Sequence, residues 1–109
     1  MIVTSAAAKA VFRSEKMGKT TLAHGEQLFA GLNAFEPGQE HRLHTHAGQD
    51  KFYFVLEGEA EVTVGTERSK IGKGDFAFAR AGEEHALKNV GEARLIVLVA
   101  MAPSPSAAG

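Results

Sequence analysis

Apolar residues in this chain come in short runs cut off by glycine, proline or charge, with the period and composition of strands rather than helices. The run after Gln27, Leu28 to Phe35, closes at Pro37-Gly38, where proline removes a ladder donor and glycine allows a sharp turn. Lys51 to Leu56 is rich in aromatic and branched side chains and is followed by Gly58; Glu59 to Val64 then alternates, as a strand with one wet face does. Lys70 to Asp75 reads as a tight connection. In the strand after it, Phe76 and Phe78 share one face, with Ala77 and Ala79 on the other. Leu95 to Val99 is apolar throughout and predicts a strand covered on both faces. The only helical turn expected lies within Ser5 to Lys16, and the Pro- and Ser-rich stretch from Pro103 to Gly109 is expected to be ordered only where it packs. Short strands at this spacing predict an all-β sandwich or barrel.

Composition narrows the classes. With 109 residues, 44% apolar content and seven phenylalanines, the chain has material for one core and one domain. Twelve basic and 13 acidic residues give a net charge of −1 without a block of like charge, so neither nucleic acid nor a membrane surface is an expected partner. No cysteine is present, which removes disulfides and thiolate ligands and fits a cytoplasmic protein. The first residues lack the pattern of a secretory signal, and no stretch approaches membrane-spanning length.

The candidate chemistry lies in three histidines. In His44-Thr45-His46 the two imidazoles stand at i and i+2, so one strand aims both at one point, and His85 offers a third from a facing strand. Imidazole suits Zn, Fe, Ni and Cu. His24 and His41 read as surface residues, and His41 lies an odd number of positions from His44 and His46, so on a regular strand it faces away from them. Glu57, Glu59 and Glu61, at two-residue spacing, read as the solvated face of a hairpin. Asn89 is expected to hold a strand end by hydrogen bonding, and Tyr53 reads first as a core aromatic.

Glycines frame these histidines at fixed offsets. The first element is Gly38-x5-His44-x-His46, running on through Lys51 to Gly58; the second is Gly74-x5-Arg80-x-Gly82-x2-His85-x3-Asn89, and 15 residues separate Gly58 from Gly74. These two elements resemble the signature motifs of the cupin family, over about Glu26 to Met101. The resemblance implies a cupin-type double-stranded β-helix, or jelly-roll barrel, over residues 26–101, an N-terminal segment 1–25 packing as a strand on the barrel or on a partner, and a tail 102–109. It also implies one divalent metal per chain, Fe, Mn, Ni, Zn or Cu, held by His44, His46 and His85, and a homodimer with residues near Val3 to Phe12 or Leu28 to Phe35 at the contact.

Two positions depart from the family pattern. Lys51 stands where a glutamate ligand is usual, and Arg80 where proline is usual. An ammonium has three donors and no lone pair, so Lys51 cannot ligate a cation. Gln49 can supply its amide oxygen instead, Asp50 can take the place, or three histidines can stand alone; alternatively Lys51 points outward to a surface carboxylate. A metal with neutral donors keeps its full charge and favours a small organic anion, with Lys51 or Arg80 as second anchor and Tyr53 as hydrogen-bond or proton donor. Two functions follow: a metal-dependent enzyme of dioxygenase, decarboxylase or isomerase type with Tyr53 and Lys51 as catalytic residues, or a binding module for a metal or small ligand without turnover.

Overall fold

The computed structural model describes residues 1–45 and 47–105. After a short 3-10 turn at Ala6–Lys9, the strands are β1 (Gly18–His24), β2 (Phe29–Phe35), β3 (Glu40–His44), β4 (Asp50–Glu57), β5 (Glu59–Val64), β6 (Glu67–Gly72), β7 (Phe76–Ala79), β8 (His85–Asn89) and β9 (Leu95–Ala102). They form two sheets, ordered β1-β2-β9-β4-β7 and β3-β8-β5-β6, with every described pairing antiparallel. The sheets face each other as a jelly roll without closing into a continuous barrel.

The two-residue period of each strand builds the core between them. Phe35, Tyr53, Val55, Leu95, Val97 and Val99 point inward from the five-stranded sheet and meet Ala60, Val62 and Leu87 from the other. β9 lies between β2 and β4 and is buried over most of its length, which is why its sequence has no polar alternation. On β7 the alanines face in and the phenylalanines out; Phe76 and Phe78 sit opposite Phe54 and Phe52 and stay exposed. Leu32 to Phe35 are buried within the single chain, leaving Val11 and Leu28 as the exposed large apolar side chains of the two segments expected at a dimer contact.

One expected connection is in fact a strand. Lys70 to Gly72 belongs to β6, paired along β5 from Val64↔Glu67 to Glu59↔Gly72, and only Lys73-Gly74-Asp75 turns. β6 is an edge strand with mostly exposed side chains, so its sequence carries no apolar period to announce it.

The motif glycines have a physical reason. Gly38, Gly58, Gly74 and Gly82 hold φ of +85°, +90°, +88° and +81°, a region that costs other residues a steric penalty. Gly18 serves differently: the backbone carbonyl of Val11 crosses against it and leaves no room for a Cβ.

Asn89 ties the end of β8 to its surroundings. Its Nδ2 donates to the carbonyls of Phe35 (3.1 Å) and Ala93 (3.0 Å), while its Oδ1 accepts from the Gly91 N–H (3.0 Å). The side chain is 1% exposed, so truncation strands buried polar groups without water. Asn89→Ala is expected to lose about 2–4 kcal/mol in chemical denaturation; a loss below about 1 kcal/mol would show that these bonds do not anchor the strand.

Candidate metal and ligand centre

The site begins with the pairing of β3 on β8. His41 lies opposite Leu87, and His44 opposite His85. Three steps along β3 therefore match two along β8, and the extra residue forms a bulge. Since His85 and Leu87 share the inner face, the bulge turns both His41 and His44 inward. The rings of His41 and His44 stand 4.1 Å apart, and those of His44 and His85 4.0 Å. The expectation that His41 faces away is thus overturned, because it assumed a regular strand. His24 is at the surface as expected, edge-on to Phe29.

Hydrogen bonds fix the chemistry of two of these rings. Nδ1 of His44 lies 2.6 Å from the Arg42 carbonyl, and Nδ1 of His85 lies 3.0 Å from the Glu83 carbonyl. A carbonyl only accepts, so in both rings Nδ1 carries the proton and donates it. In the neutral ring Nε2 then holds the lone pair, and both Nε2 atoms are buried inside the fold. A backbone acceptor on the distal nitrogen is the usual support of a metal-binding imidazole. Burial holds the His44 pKa below its ordinary value, against the opposing pull of the Arg42 carbonyl, and the charges of His85 and Lys51 add to the depression. Burial, then the Lys51 charge, pushes His41 down to about 3. His46 lies outside the described residues, and among these no group of three His, Cys, Asp or Glu is arranged to hold a metal.

Lys51 faces inward. It is 4% exposed, its ammonium lies 4.9 Å from the Tyr53 ring centroid, and neither hydrogen bond nor ion pair reaches it among the described residues. The alternative of an outward lysine paired with a surface carboxylate is therefore excluded. Burial, followed by the charge of Lys19, lowers its pKa to about 8. Tyr53 packs with its ring 6.0 Å from that of His85, and burial pushes its phenol well above the ordinary value. Its hydroxyl is buried without a hydrogen-bond partner among the described residues.

The other candidates have separate duties. Nε2 of Gln49 donates to the Pro103 carbonyl at 3.1 Å, which leaves Oε1 as the atom free for a ligand role. Asp50 accepts from the Ala81 N–H at 2.9 Å and stabilises the turn before β8. Arg80 is exposed and lines a groove with Phe76 and Phe78, away from the imidazoles. Inside the mouth of the fold, a cavity of about 530 Å³ is bordered by Lys19, Asn33, His41 and Lys51 on its polar side and by Phe29, Val99 and Met101 on its apolar side.

The cupin domain model matches residues 31–101, well over half of the chain. The chain belongs to the cupin family. An uncharacterised protein of Streptomyces coelicolor is 37% identical over 79 residues, covering 72% of this chain and 73% of its own. A Thermotoga maritima protein named as oxalate-binding is 30% identical over 79 residues, 72% of this chain and 64% of that one. Among solved structures, a protein from Thermus thermophilus superposes with a TM-score of 0.91 at 37% identity, covering 96% of this chain and 100% of the other.

Lys51, where the sequence departs from the motif, is buried, and its charge stands beside imidazoles. Sequence reasoning singled out Lys51 and the histidine pair, misjudged His41 and missed Lys19 and Asn33: the bulge that turns His41 has no signature in the sequence, and Lys19 and Asn33 become neighbours only through the β1–β2 register. A buried charge with no carboxylate partner destabilises the fold. Lys51→Met, close in length and uncharged, is expected to stabilise the protein by roughly 1–3 kcal/mol; a lower melting temperature would show that the Tyr53 ring offsets the cost of burying the ammonium.

Proposed function

We propose that this cupin binds one divalent metal, Fe, Mn, Ni, Zn or Cu, through His44, His46 and His85, with Oε1 of Gln49 as fourth donor, and acts on a small organic anion. The reaction is of dioxygenase, decarboxylase or isomerase type. The observation that carries the reading is the pair of imidazoles whose protons are fixed at Nδ1 by backbone carbonyls while Nε2 points into the fold. A metal bound there would supply a Lewis acid.

The chain's own residues set the preference for an anion. Imidazoles and an amide neutralise none of a dication's charge, and Lys51 adds a positive charge close enough to act on His41 and His44. Lys51 holds the charge of the ligand, Tyr53 props the ammonium from beneath, and the sheets exclude water from the inner face. Tyr53 and Lys51 are the catalytic candidates. One observation favours the second reading, a binding module without turnover: the cavity is lined by Lys51 and not by Tyr53, so the phenol has no described route to a ligand.

The test is metal content by elemental analysis of protein from its native host, followed by oxygen-uptake assays against small acids and phenols. One metal per chain is expected, abolished by His44→Ala with His46→Ala and weakened less by Gln49→Ala, since a neutral amide oxygen is the poorer donor to a borderline metal. Unchanged stoichiometry in the double variant would overturn the assignment.

We further propose a cytoplasmic homodimer, supported by the exposed apolar side chains of Val11, Leu28, Phe76 and Phe78. Light scattering should return twice the chain mass at micromolar concentration; a monomer mass would remove the dimer.

A further inference from the structure

The cavity at the mouth of the fold combines two features that its neighbours do not. Its polar end holds Lys51, more than nine-tenths buried and without hydrogen bond or ion pair among the described residues, and Lys19 from β1 borders the same space. No described residue lining the cavity is acidic. Each of the four ion pairs among the described residues uses an arginine, so no lysine is neutralised that way. The other wall is made by Phe29, Val99 and Met101.

A buried ammonium facing a second ammonium without a carboxylate is held at a cost, and an anion placed between them removes it. Charge-assisted hydrogen bonds from such donors are the strong ones. The apolar wall calls for a ligand with a hydrocarbon body as well as a charge, because a bare inorganic anion would leave that surface uncovered. A volume of about 530 Å³ suits a small organic molecule.

We infer that this cavity is a binding pocket for an organic monocarboxylate with an apolar or aromatic body, the carboxylate held by Lys51 with Lys19 at the entrance and the body lying on Phe29, Val99 and Met101. The inference deepens the proposed preference for a small organic anion, but it needs no metal: the lysines alone hold the charge. Asn33, buried and paired across from Lys19, offers its amide beside the carboxylate.

The test is isothermal titration calorimetry with benzoate, its uncharged analogue benzamide, and inorganic phosphate, on chelator-treated and on metal-loaded full-length chain. Benzoate is expected to bind the chelator-treated protein, with benzamide and phosphate each weaker by about tenfold or more. Lys51→Met should weaken benzoate by about tenfold or more, Lys19→Met by a smaller factor, and Lys73→Met, on the distant β6–β7 turn, not at all. A thermal melt of each variant establishes that it is folded. Benzoate affinity unchanged in folded Lys51→Met, benzamide binding as tightly as benzoate, or no benzoate binding by either form would overturn the inference. Binding that requires metal and ignores Lys51 would also overturn it, while leaving the metal reading intact. Lys51-dependent binding by protein that takes up no metal would support the pocket and remove the metal reading.

Discussion

The register of β3 on β8 is the constraint on which the site depends. At one end it is held by backbone bonds, with Gly38 donating to Asn89 at 3.1 Å and Asn89 to Gln39 at 3.0 Å, and by the Asn89 side chain on Phe35. At the other end His44 faces His85. Between these points β3 has one residue more than β8 can pair, and the bulge that absorbs it turns a third imidazole inward. A slip of β3 by one residue would turn its imidazoles away from His85, so the fold that sets the register also sets the chemistry.

Lys51 gives this interior its electrostatic character. It sits near the start of β4, between β7 and β9 in the larger sheet, and its charge reaches His41 and His44 on the opposite sheet. Burial first, and then its charge, disfavours protonation of His41 and His44, which keeps imidazoles neutral and able to donate a lone pair. The same charge opposes a cation and favours an anion. The interior therefore tolerates a metal best when a negatively charged ligand accompanies it, and that coupling links the proposed metal site to the two-lysine pocket.

Much of this was legible in the sequence, for reasons that differ by element. β4, β5 and β9 announce themselves because their apolar positions are buried at the period of a strand or along a whole run. The glycines at 38, 58, 74 and 82 were legible because positive φ restricts the residue types that fit. Asn89 was legible because the motif placed it at a strand end. β6 was not, since an exposed edge strand needs no apolar period. His41 was misjudged because a bulge reverses strand parity without leaving a mark in residue type. Lys51 was recognised as the position on which function turns, but its direction depended on which face of β4 met the core, and only Tyr53 and Val55 burying on the same side decides that.

X-ray absorption spectroscopy of the Zn-loaded protein tests the central claim most directly, because it reads the donors around the metal without relying on activity. The account expects a shell of three imidazole nitrogens at about 2.0–2.1 Å with oxygen completing it, reduced by one imidazole in His85→Ala. A shell of oxygens alone, or one unchanged in that variant, would contradict it.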